Sequence, residues 1–553
     1  MTNKDIARQF RLLADLMELH GENPFKIKSY QQAYLTLRNS PLPIAQLDAE
    51  ALSSIKGIGK AISEKIMEIR RTGTMDLLER LRSRTPAGVS EMLEIPGLGP
   101  RKIKAVWEEL GIETLGDLLY ACHENRLLCL KGFGEKTQRE WQEKIRYYQR
   151  SRGKLLLPDA MAAATVLVQE LSVRYPTARV EWTGAIRRGC EIVESIDILL
   201  ASEKEPDLSE CSLLESIRRL GPHSFEATYD NNFPVRLTVC SSEDFGGFQF
   251  RCTGSEPFLD SFRRRYPDAF GYPAREEADI FLRCACTPVP PERRETARPL
   301  ERPDPVLVAE GDMQGVIHAH TTYSDGADTL ADMAAAAAAA GYHYLGVTDH
   351  SRAAFYANGL PIERLFQQWE EIDRLMSSDA SVQILKGIES DILYDGSLDY
   401  PDEILQQFQF IVASVHSHLR MDRDKATARL VKAIEHPCTT ILGHPTGRLL
   451  LNREGYPIDH ERILAACAAN QVAIELNANP NRLDLDWRWL EKAMEMGVVV
   501  SVNPDAHSRA GIRDIRYGVL AARKGGLPAD HCLTCYPASN FLAFARKSPT
   551  WRT

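Results

Sequence analysis

At 553 residues, with 44% hydrophobic and 26% charged side chains, the chain has room for several folded domains and the make-up of a soluble globular protein, which excludes fibrous and disordered classes. No apolar run is long enough for a bilayer span, Met1–Leu19 carries charges where a secretory leader needs an apolar stretch, and the 12 scattered cysteines read as reduced thiols, so a cytoplasmic protein is expected. The net charge of −9 is unevenly spread: residues 1–150 hold 24 basic and 20 acidic side chains, a balance of +4 that leaves −13 for the rest.

The first 150 residues are rich in helix formers, with apolar residues three and four apart, as in Ile6, Phe10, Leu13, Leu16 and Met17. Three glycine turns punctuate them: Ile55-Lys-Gly57-Ile-Gly59-Lys60, Ile95-Pro-Gly97-Leu-Gly99-Pro-Arg101-Lys102 and Leu130-Lys-Gly132-Phe-Gly134-Glu-Lys136. Each runs from an apolar residue through G-x-G into a helix start with a basic residue nearby, which is the helix-hairpin-helix pattern. Glycine lets backbone N–H groups approach a phosphate, and the helix N-terminus adds partial positive charge. Such contacts ignore base identity. A single G-x-G is an ordinary turn. Three of them predict DNA binding through the backbone, at Gly57, Gly59 and Lys60, at Gly97, Gly99, Arg101 and Lys102, and at Gly132, Gly134 and Lys136.

Residues 155–285 change character. Val180-Glu-Trp182, Ile196-Asp-Ile-Leu-Leu200 and Val235-Arg-Leu-Thr-Val239 read as strands between helices. Gly184-Ala-Ile-Arg187-Arg188-Gly189 with Ile196-Asp197-Ile198, and Asp244-Phe-Gly through Thr253-Gly254-Ser255, resemble the nucleotidyltransferase signature of family X DNA polymerases. The family pattern is G-S-x-R-R-G, then G-D-x-D, then a third Asp on a neighbouring strand. Here Ala185 stands for the phosphate-holding Ser, Ser195 for the first metal Asp and Arg236 for the third, so Asp197 alone remains. Two-metal phosphoryl transfer needs several carboxylates on one wall. Glu194 substitutes only through a bulge, because side chains alternate along a strand. Arg236 sets a permanent positive charge where Mg²⁺ would sit, and it is expected to pair with Asp197. The resemblance also gives Lys65, in Ser63-Glu64-Lys65-Ile66, the place of the Schiff-base lysine in the family's lyase domain. Two readings stay open for it: a nucleophile toward the sugar aldehyde of an abasic site, or a solvent-facing lysine beside DNA.

From Thr287 to Pro305 the chain turns Pro-, Arg- and Glu-rich, a linker composition. After Gly311, short β runs at 315–318, 344–348, 384–388, 410–414, 440–443, 472–475 and 498–501 alternate with helical stretches, a rhythm that predicts a parallel barrel. The alanine run at 334–340 before Gly341 reads as a tightly packed helix with a glycine stop. Eleven of the 14 histidines follow residue 310. At or just past the ends of the β runs stand His318, His320, Asp325, His350, Glu389, His416, His444, Asp505 and His507. Imidazole with carboxylate suits divalent zinc, iron or manganese, and this donor set is too large for one ion of roughly four to six ligands. It suits a cluster of about two or three, the arrangement that cleaves phosphate esters. His343, His436, His460 and His531 read as core or surface residues, His418 is ambiguous, and Cys532-Leu-Thr-Cys535 lacks the second pair of a structural zinc site. Residues 311–553 resemble the PHP phosphoesterase family, whose distorted (β/α)7 barrel carries a trinuclear metal site. The resemblance maps the family's ligand pattern onto His318, His320, Asp325, His350, Glu389, His416, His444, Asp505 and His507. Arg448, just past Gly443-His444-Pro445, has two readings, holding a phosphate oxygen or forming a salt bridge.

End to end, the chain is similar to bacterial-type family X DNA polymerases with a C-terminal PHP domain. The expected fold is multidomain: an N-terminal all-α helix-hairpin-helix region, lyase-like over 1–85 and fingers-like over 86–150; an α+β nucleotidyltransferase-like palm with thumb, 151–286; a linker, 287–310; and a C-terminal distorted (β/α)7 PHP barrel, 311–553. The expected function is a metal-dependent DNA phosphodiesterase. Its hairpins hold the backbone, Asp325, Glu389 and Asp505 offset ion charge, and Glu389 bridges metals. The resemblance implies a 3′→5′ exonuclease, with abasic-site or 3′-end processing in DNA repair. It also implies about two or three Mn²⁺ or Zn²⁺ ions, and gapped, abasic or 3′-end DNA as the partner. Two other readings remain. A gap-filling polymerase has Ser195 and Arg236 against it. A noncatalytic DNA-binding scaffold has the size of the ligand set against it, since a structural metal takes about four closed ligands.

Overall fold

The apolar stripe of residues 6–17 becomes one face of α1 (Asn3–Leu19), where Ile6, Phe10, Leu13 and Met17 are buried. The computed structural model describes residues 3–547 other than 41, 43, 56, 96, 151, 152, 204, 205, 231, 379, 380 and 452. The chain divides into two units, residues 1–148 and 149–553. The first is all helical and continues with α2 (Pro24–Asn39), α3 (Ala49–Ser54), α4 (Lys60–Thr72), α5 (Asp76–Arg84), α6 (Ala87–Met92), α7 (Pro100–Leu110), α8 (Leu115–His123) and α9 (Glu135–Arg150).

The three glycine turns share one geometry. Gly57, Gly97 and Gly132 take left-handed φ values of 96°, 89° and 85°, which a side chain would strain. The residue between the glycines is an apolar peg: Ile58, Leu98 and Phe133 are buried, and their N–H groups donate to the carbonyls of Ile55, Leu98's partner Ile95 and Leu130 at 2.9, 3.2 and 3.1 Å. Gly59, Gly99 and Gly134 then lead into α4, α7 and α9, and a Cβ on any of them would meet nothing within 4 Å. The start of each helix is therefore open on the side where its N–H groups point outward. Lys60 and Lys136 are exposed. Arg101 pairs with Glu18 at 2.7 Å, and Lys102 lies over the Phe133 ring at 5.1 Å.

The second unit holds a mixed sheet and a barrel. After β1 (Leu155–Leu156), α10 (Leu157–Arg174) buries Ala160, Ala164, Leu167 and Leu171 on one face. The strands that follow are β2 (Arg179–Trp182), β3 (Ile192–Val193), β4 (Ile196–Ala201), β5 (Glu215–Gly221), β6 (Ser224–Tyr229) and β7 (Phe233–Cys240). Five of them form a sheet in the order β2-β4-β7-β6-β5, with β4 and β7 parallel in its middle.

The barrel strands are β8 (Gly315–Ala319), β9 (Tyr344–Val347), β10 (Gln383–Asp391), β11 (Phe410–Ser414), β12 (Ile441–Leu442), β13 (Ala473–Asn477) and β14 (Val500–Asn503). All seven run parallel in chain order. The ring is nearly closed between its first and last strands, where the His320 N–H donates to the Ala506 carbonyl at 2.8 Å and the Ala506 N–H to His318 at 3.1 Å. Every barrel strand is buried apart from isolated positions, as expected of a parallel sheet covered on both faces. Inside, Ile317, Phe410 and Ile441 pack with Phe541 and Phe544 of the helix Ala538–Ala545, which plugs one end. A Cβ on Gly387 would overlap the Phe410 ring, so that glycine serves packing. The alanine-rich helix runs Leu330–Ala339, and Gly341 beyond it takes a left-handed φ of 89°.

The segment 287–310, expected from its composition as a linker, packs down firmly. Arg293 is buried and pairs with Asp304 and Glu491, each at 2.7 Å. Arg294 is buried too, paired with Glu277 at 2.6 Å and lying over the Phe250 ring at 4.9 Å. The arginines that make the segment look solvated find acids far away in sequence, and these partners hold it to both the mixed sheet's helices and the barrel.

Candidate metal centre

Each barrel strand delivers an acid or imidazole at its C-terminal end, the face where parallel barrels build their sites. β8 bulges between Val316 and Ala319, and His318 within the bulge takes a left-handed φ of 64°. Asp505, just past β14, does likewise at 52°. A residue with a Cβ holds that conformation, at a cost of about 1–3 kcal/mol, only where its surroundings over-determine it. Here the backbone bonds that close the barrel run through His318, His320 and Ala506.

The nine side chains expected as metal ligands converge at this mouth. Glu389 is at the centre. Its Oε1 lies 3.1 Å from His318 Nε2, 3.2 Å from His416 Nε2 and 3.0 Å from His444 Nε2, and its Oε2 lies 3.0 Å from His350 Nδ1. Asp325 is 3.5 Å from His350 and 3.6 Å from His507, while Asp505 is 3.2 Å from His320 and 3.4 Å from His318. The donors fall into overlapping groups whose atoms lie within 4.8 Å of one another: His320, Asp325, His350 and His507; His318, Glu389 and His444; His318, His320 and Asp505; His350, Glu389 and His416. Sharing of Glu389, His318, His320 and His350 between groups is the pattern of neighbouring ions.

The residues fit such ions on two grounds. First, His318 Nε2 and both ring nitrogens of His350 are buried without a hydrogen-bond partner among the described residues. A buried polar atom left so costs about 1–3 kcal/mol, and a cation would satisfy it. Second, the charges are intense. Burial opposes protonation of His318 and His350, yet the acids around them outweigh it and hold both pKa values well above the usual one. His416 is likewise raised to about 9 against burial, by Glu389 and Asp391. Burial, with His507 and His350 beside it, takes His320 down to about 4. Burial pushes Asp325, Glu389 and Asp505 up, but the imidazoles win and all three fall well below the carboxylate range. Ionised acids surrounded by imidazoles are the donor set that borderline divalent ions select.

Three acids behind the donors were not singled out by their sequence positions. Glu475, in the middle of β13 and fully buried, accepts from His318 Nδ1 and from the His444 N–H, each at 2.6 Å, and from Asn503 Nδ2 at 2.8 Å. Asp391 accepts from His416 Nδ1 at 2.8 Å. Asp349 accepts from the Thr321 N–H at 2.8 Å, the Ser324 N–H at 3.1 Å and Gln368 at 2.6 Å, fixing the turn that carries Asp325. A second partner of this kind sets which ring nitrogen faces a metal.

Arg448 takes the salt-bridge alternative, which corrects its reading as a phosphate ligand. It pairs with Asp486 and donates to the carbonyls of Arg482 and Leu483, so the whole guanidinium is committed to bracing that turn. His418 is exposed against Tyr394, with ring centroids 5.2 Å apart, and His460 stacks on Trp489 at 4.3 Å. Lys65 donates to Glu68 at 2.6 Å.

At the corner of β4 and β7 the picture is different. Asp197 and Arg236 are register partners, but they do not pair. Asp197 instead accepts from Ser195 Oγ at 3.0 Å, and the exposed Arg236 extends into solvent. The expected Asp197–Arg236 ion pair is thus corrected: solvation of a long side chain at the sheet surface competes with a half-buried acid. Burial raises the Asp197 pKa, against the smaller opposing effects of Ser195 and Arg236. Gly184, at φ 60°, lies so close that a Cβ would overlap the Asp197 carboxylate, and Ala185 follows it in the turn. Arg187 is bound to both oxygens of Glu277 at 2.8 Å, and Arg188 to Glu295 at 2.9 Å. Glu194 pairs with Lys154 at 3.2 Å, away from Asp197.

Residues 1–75 match a helix-hairpin-helix domain family, 89–146 a SAM-like helix-hairpin-helix tandem and 317–479 the PHP domain family. The DNA polymerase/3′-5′ exonuclease PolX of Bacillus subtilis (strain 168) is 32% identical over 571 aligned residues, 99% of this chain and 100% of that protein. A probable phosphatase of Thermoanaerobacter sp. (strain X514) is 27% identical over 224 residues, 38% of this chain and 86% of that protein.

Proposed function

Because this chain belongs to the PolX family of DNA polymerase/3′-5′ exonucleases, we propose that it hydrolyses DNA phosphodiesters at the barrel mouth while its glycine hairpins grip the backbone. It is an enzyme of the phosphoesterase class. The observation that carries this reading is the placing of Glu389 among imidazoles from four other strand ends, all about 3 Å away. Bound divalent ions, about two or three and of Mn²⁺ or Zn²⁺ character, supply Lewis acidity and charge neutralisation for the phosphodiester. His318, His320, Asp325, His350, Glu389, His416, His444, Asp505 and His507 hold them. Glu475 and Asp391 fix the rings of His318 and His416, and Asp349 fixes the Asp325 turn. The mouth acts on 3′ ends, with abasic or damaged termini among its substrates, in a repair role in the cytoplasm. No helix among the described residues is long and apolar enough to cross a membrane.

The functional division we adopt is a lyase-like region 1–85, a fingers-like region 86–150, a palm and thumb 151–286, a connecting segment 287–310 and a PHP region 311–553. The palm no longer polymerises in this reading. One half-buried acid, with Ser195 and Arg236 as neighbours, gives no wall of carboxylates for two ions. Arg187 and Arg188 are committed to Glu277 and Glu295. Lys65, held by Glu68, is read as a lysine beside DNA.

The deciding experiment is digestion of end-labelled single-stranded, gapped and abasic DNA with Mn²⁺, Mg²⁺ or Zn²⁺. Wild type is expected to shorten the 3′ end and His507→Ala to leave it intact. Equal digestion by both overturns the site, and primer extension that Asp197→Ala abolishes overturns the loss of polymerisation.

A further inference from the structure

The rim of the mouth carries aromatic side chains that the hydrolytic site does not use. Among the described residues after 311, the large apolar side chains with substantial exposure are Phe355 at 81%, Tyr394 at 66%, Phe366 at 39% and Met376 at 38%. The two most exposed sit in loops at the C-terminal ends of β9 and β10, the end where the donors gather. Phe355 follows His350 by five residues and packs edge-on against Tyr356, with centroids 6.0 Å apart, and Tyr356 lies 6.4 Å from the His350 ring. Tyr394 follows Glu389 by five residues and packs edge-on against His418, with centroids 5.2 Å apart. His418 is two residues beyond His416, past β11. The ligands neighbouring these two pairs, His350, Glu389 and His416, form one group of donors. The pairs therefore rise from three adjacent strands beside a single part of the cluster.

Neither platform is loose. The Phe355 loop is tied by the Leu360 N–H to the His350 carbonyl at 2.9 Å and by the Gly359 N–H to Ala354 at 3.0 Å. The Tyr394 turn is tied by the Leu393 N–H to Ser397 at 2.8 Å, and Arg429 Nε donates to the Leu393 carbonyl at 2.8 Å. A rigid exposed ring loses little entropy when a flat partner covers it. Isolated exposed apolar residues are ordinary on a protein surface. Two held aromatic pairs beside a phosphate-cleaving cluster are not isolated. Arg352, exposed on the Phe355 loop, is engaged by Asp399, donating to its carbonyl at 2.9 Å.

Resting on the nuclease reading above, we propose that Phe355 and Tyr394 are base-stacking platforms that select an unpaired 3′ end, holding the nucleobases that flank the phosphodiester presented to His350, Glu389 and His416. Bases stack on aromatic rings whatever their identity, and only unpaired bases have a free face to offer. A paired 3′ end has to be frayed before it gains these contacts.

The test compares single-stranded oligonucleotides ending in ordinary nucleotides with ones whose last three sugars lack bases. Rates of 3′ shortening with Mn²⁺ are measured for wild type, Phe355→Ala, Tyr394→Ala and the double variant, with Phe355→Trp as a conservative control. Wild type should prefer the base-bearing end. Each alanine should cut that preference about tenfold, the double variant should bring the ratio of rates close to one, and Phe355→Trp should keep it. Melting curves check folding, which these exposed positions leave intact. A ratio in the double variant equal to that of wild type overturns the proposal, as does an equal fall on both substrates. If wild type shortens neither substrate with any divalent ion, the nuclease reading itself fails and takes the platforms with it.

Discussion

The barrel mouth and the corner of β4 and β7 both place acidic side chains at parallel strands, yet they treat the charge in opposite ways. At the mouth, the carboxylates of Glu389, Asp325 and Asp505 are shielded from solvent but faced by imidazoles, and these hold the acids ionised against the effect of burial. At the corner, Asp197 is alone. Burial prevails and raises its pKa, and its nearest donor is the hydroxyl of Ser195. A strand end becomes a cation site when several ionised acids share it with imidazole donors, whereas burial of a lone acid disfavours its charged form. Position on the fold supplies the opportunity in both places. The count and identity of neighbours decides the outcome.

The contrast is broken most directly at Glu389. Glu389→Gln keeps size and removes the shared charge, so nuclease activity should fall at least about a thousandfold, given several kcal/mol of metal-assisted stabilisation. Activity within tenfold of wild type would remove the mouth from the reaction. Metal removal tests the same contrast through stability. Adding Mn²⁺ at about 100 times its Kd to chelator-stripped protein should stabilise the second unit by roughly 2.7 kcal/mol. That increment should vanish in Glu389→Gln and persist in Asp197→Ala. Calorimetry showing the increment lost in Asp197→Ala would mean that the corner holds an ion after all. Glu475→Gln should have a smaller effect, because Gln still accepts from His318 Nδ1 while the charge behind the ring is gone. A loss of about 10–100-fold in Mn²⁺ affinity or activity is expected, measured by metal titration of the activity.

Why the two sites differ in legibility follows from the same physics. The donors at the mouth follow β runs by a few residues, so barrel rhythm alone places them on one face. Glu475 closes the expected run 472–475 much as Glu389 follows the run 384–388, and nothing local says that one faces the ions and the other the back of His318. Asp391 was hidden in the same way, two residues past Glu389. β5 and β6 were not foreseen because β5 is mostly exposed and shows no apolar alternation. The segment 287–310 misled because the partners of Arg293 lie as far off as Glu491. Arg236 misled for a reason that register cannot reveal: neighbouring Cα positions do not make a long side chain turn inward when solvent is available to it.

The finest test concerns Asp197 itself. Its folded pKa is raised, chiefly by burial, so the protonated acid is the form the fold prefers. That contribution is fully present below the unfolded pKa of about 3.9 and is lost as pH rises through the folded value. At pH 8 the ionised carboxylate therefore works against folding. Asp197→Asn keeps an acceptor for the Ser195 hydroxyl and removes the charge. It should raise stability at pH 8 by on the order of 1 kcal/mol, an advantage that shrinks toward pH 4, read from urea melts of the chelated protein. A loss of stability at pH 8 would show that the ionised form is the favoured one. The β4–β7 corner would then resemble the barrel mouth in the property that separates them here, and the case for a silent palm would have to rest on Ser195 and Arg236 alone.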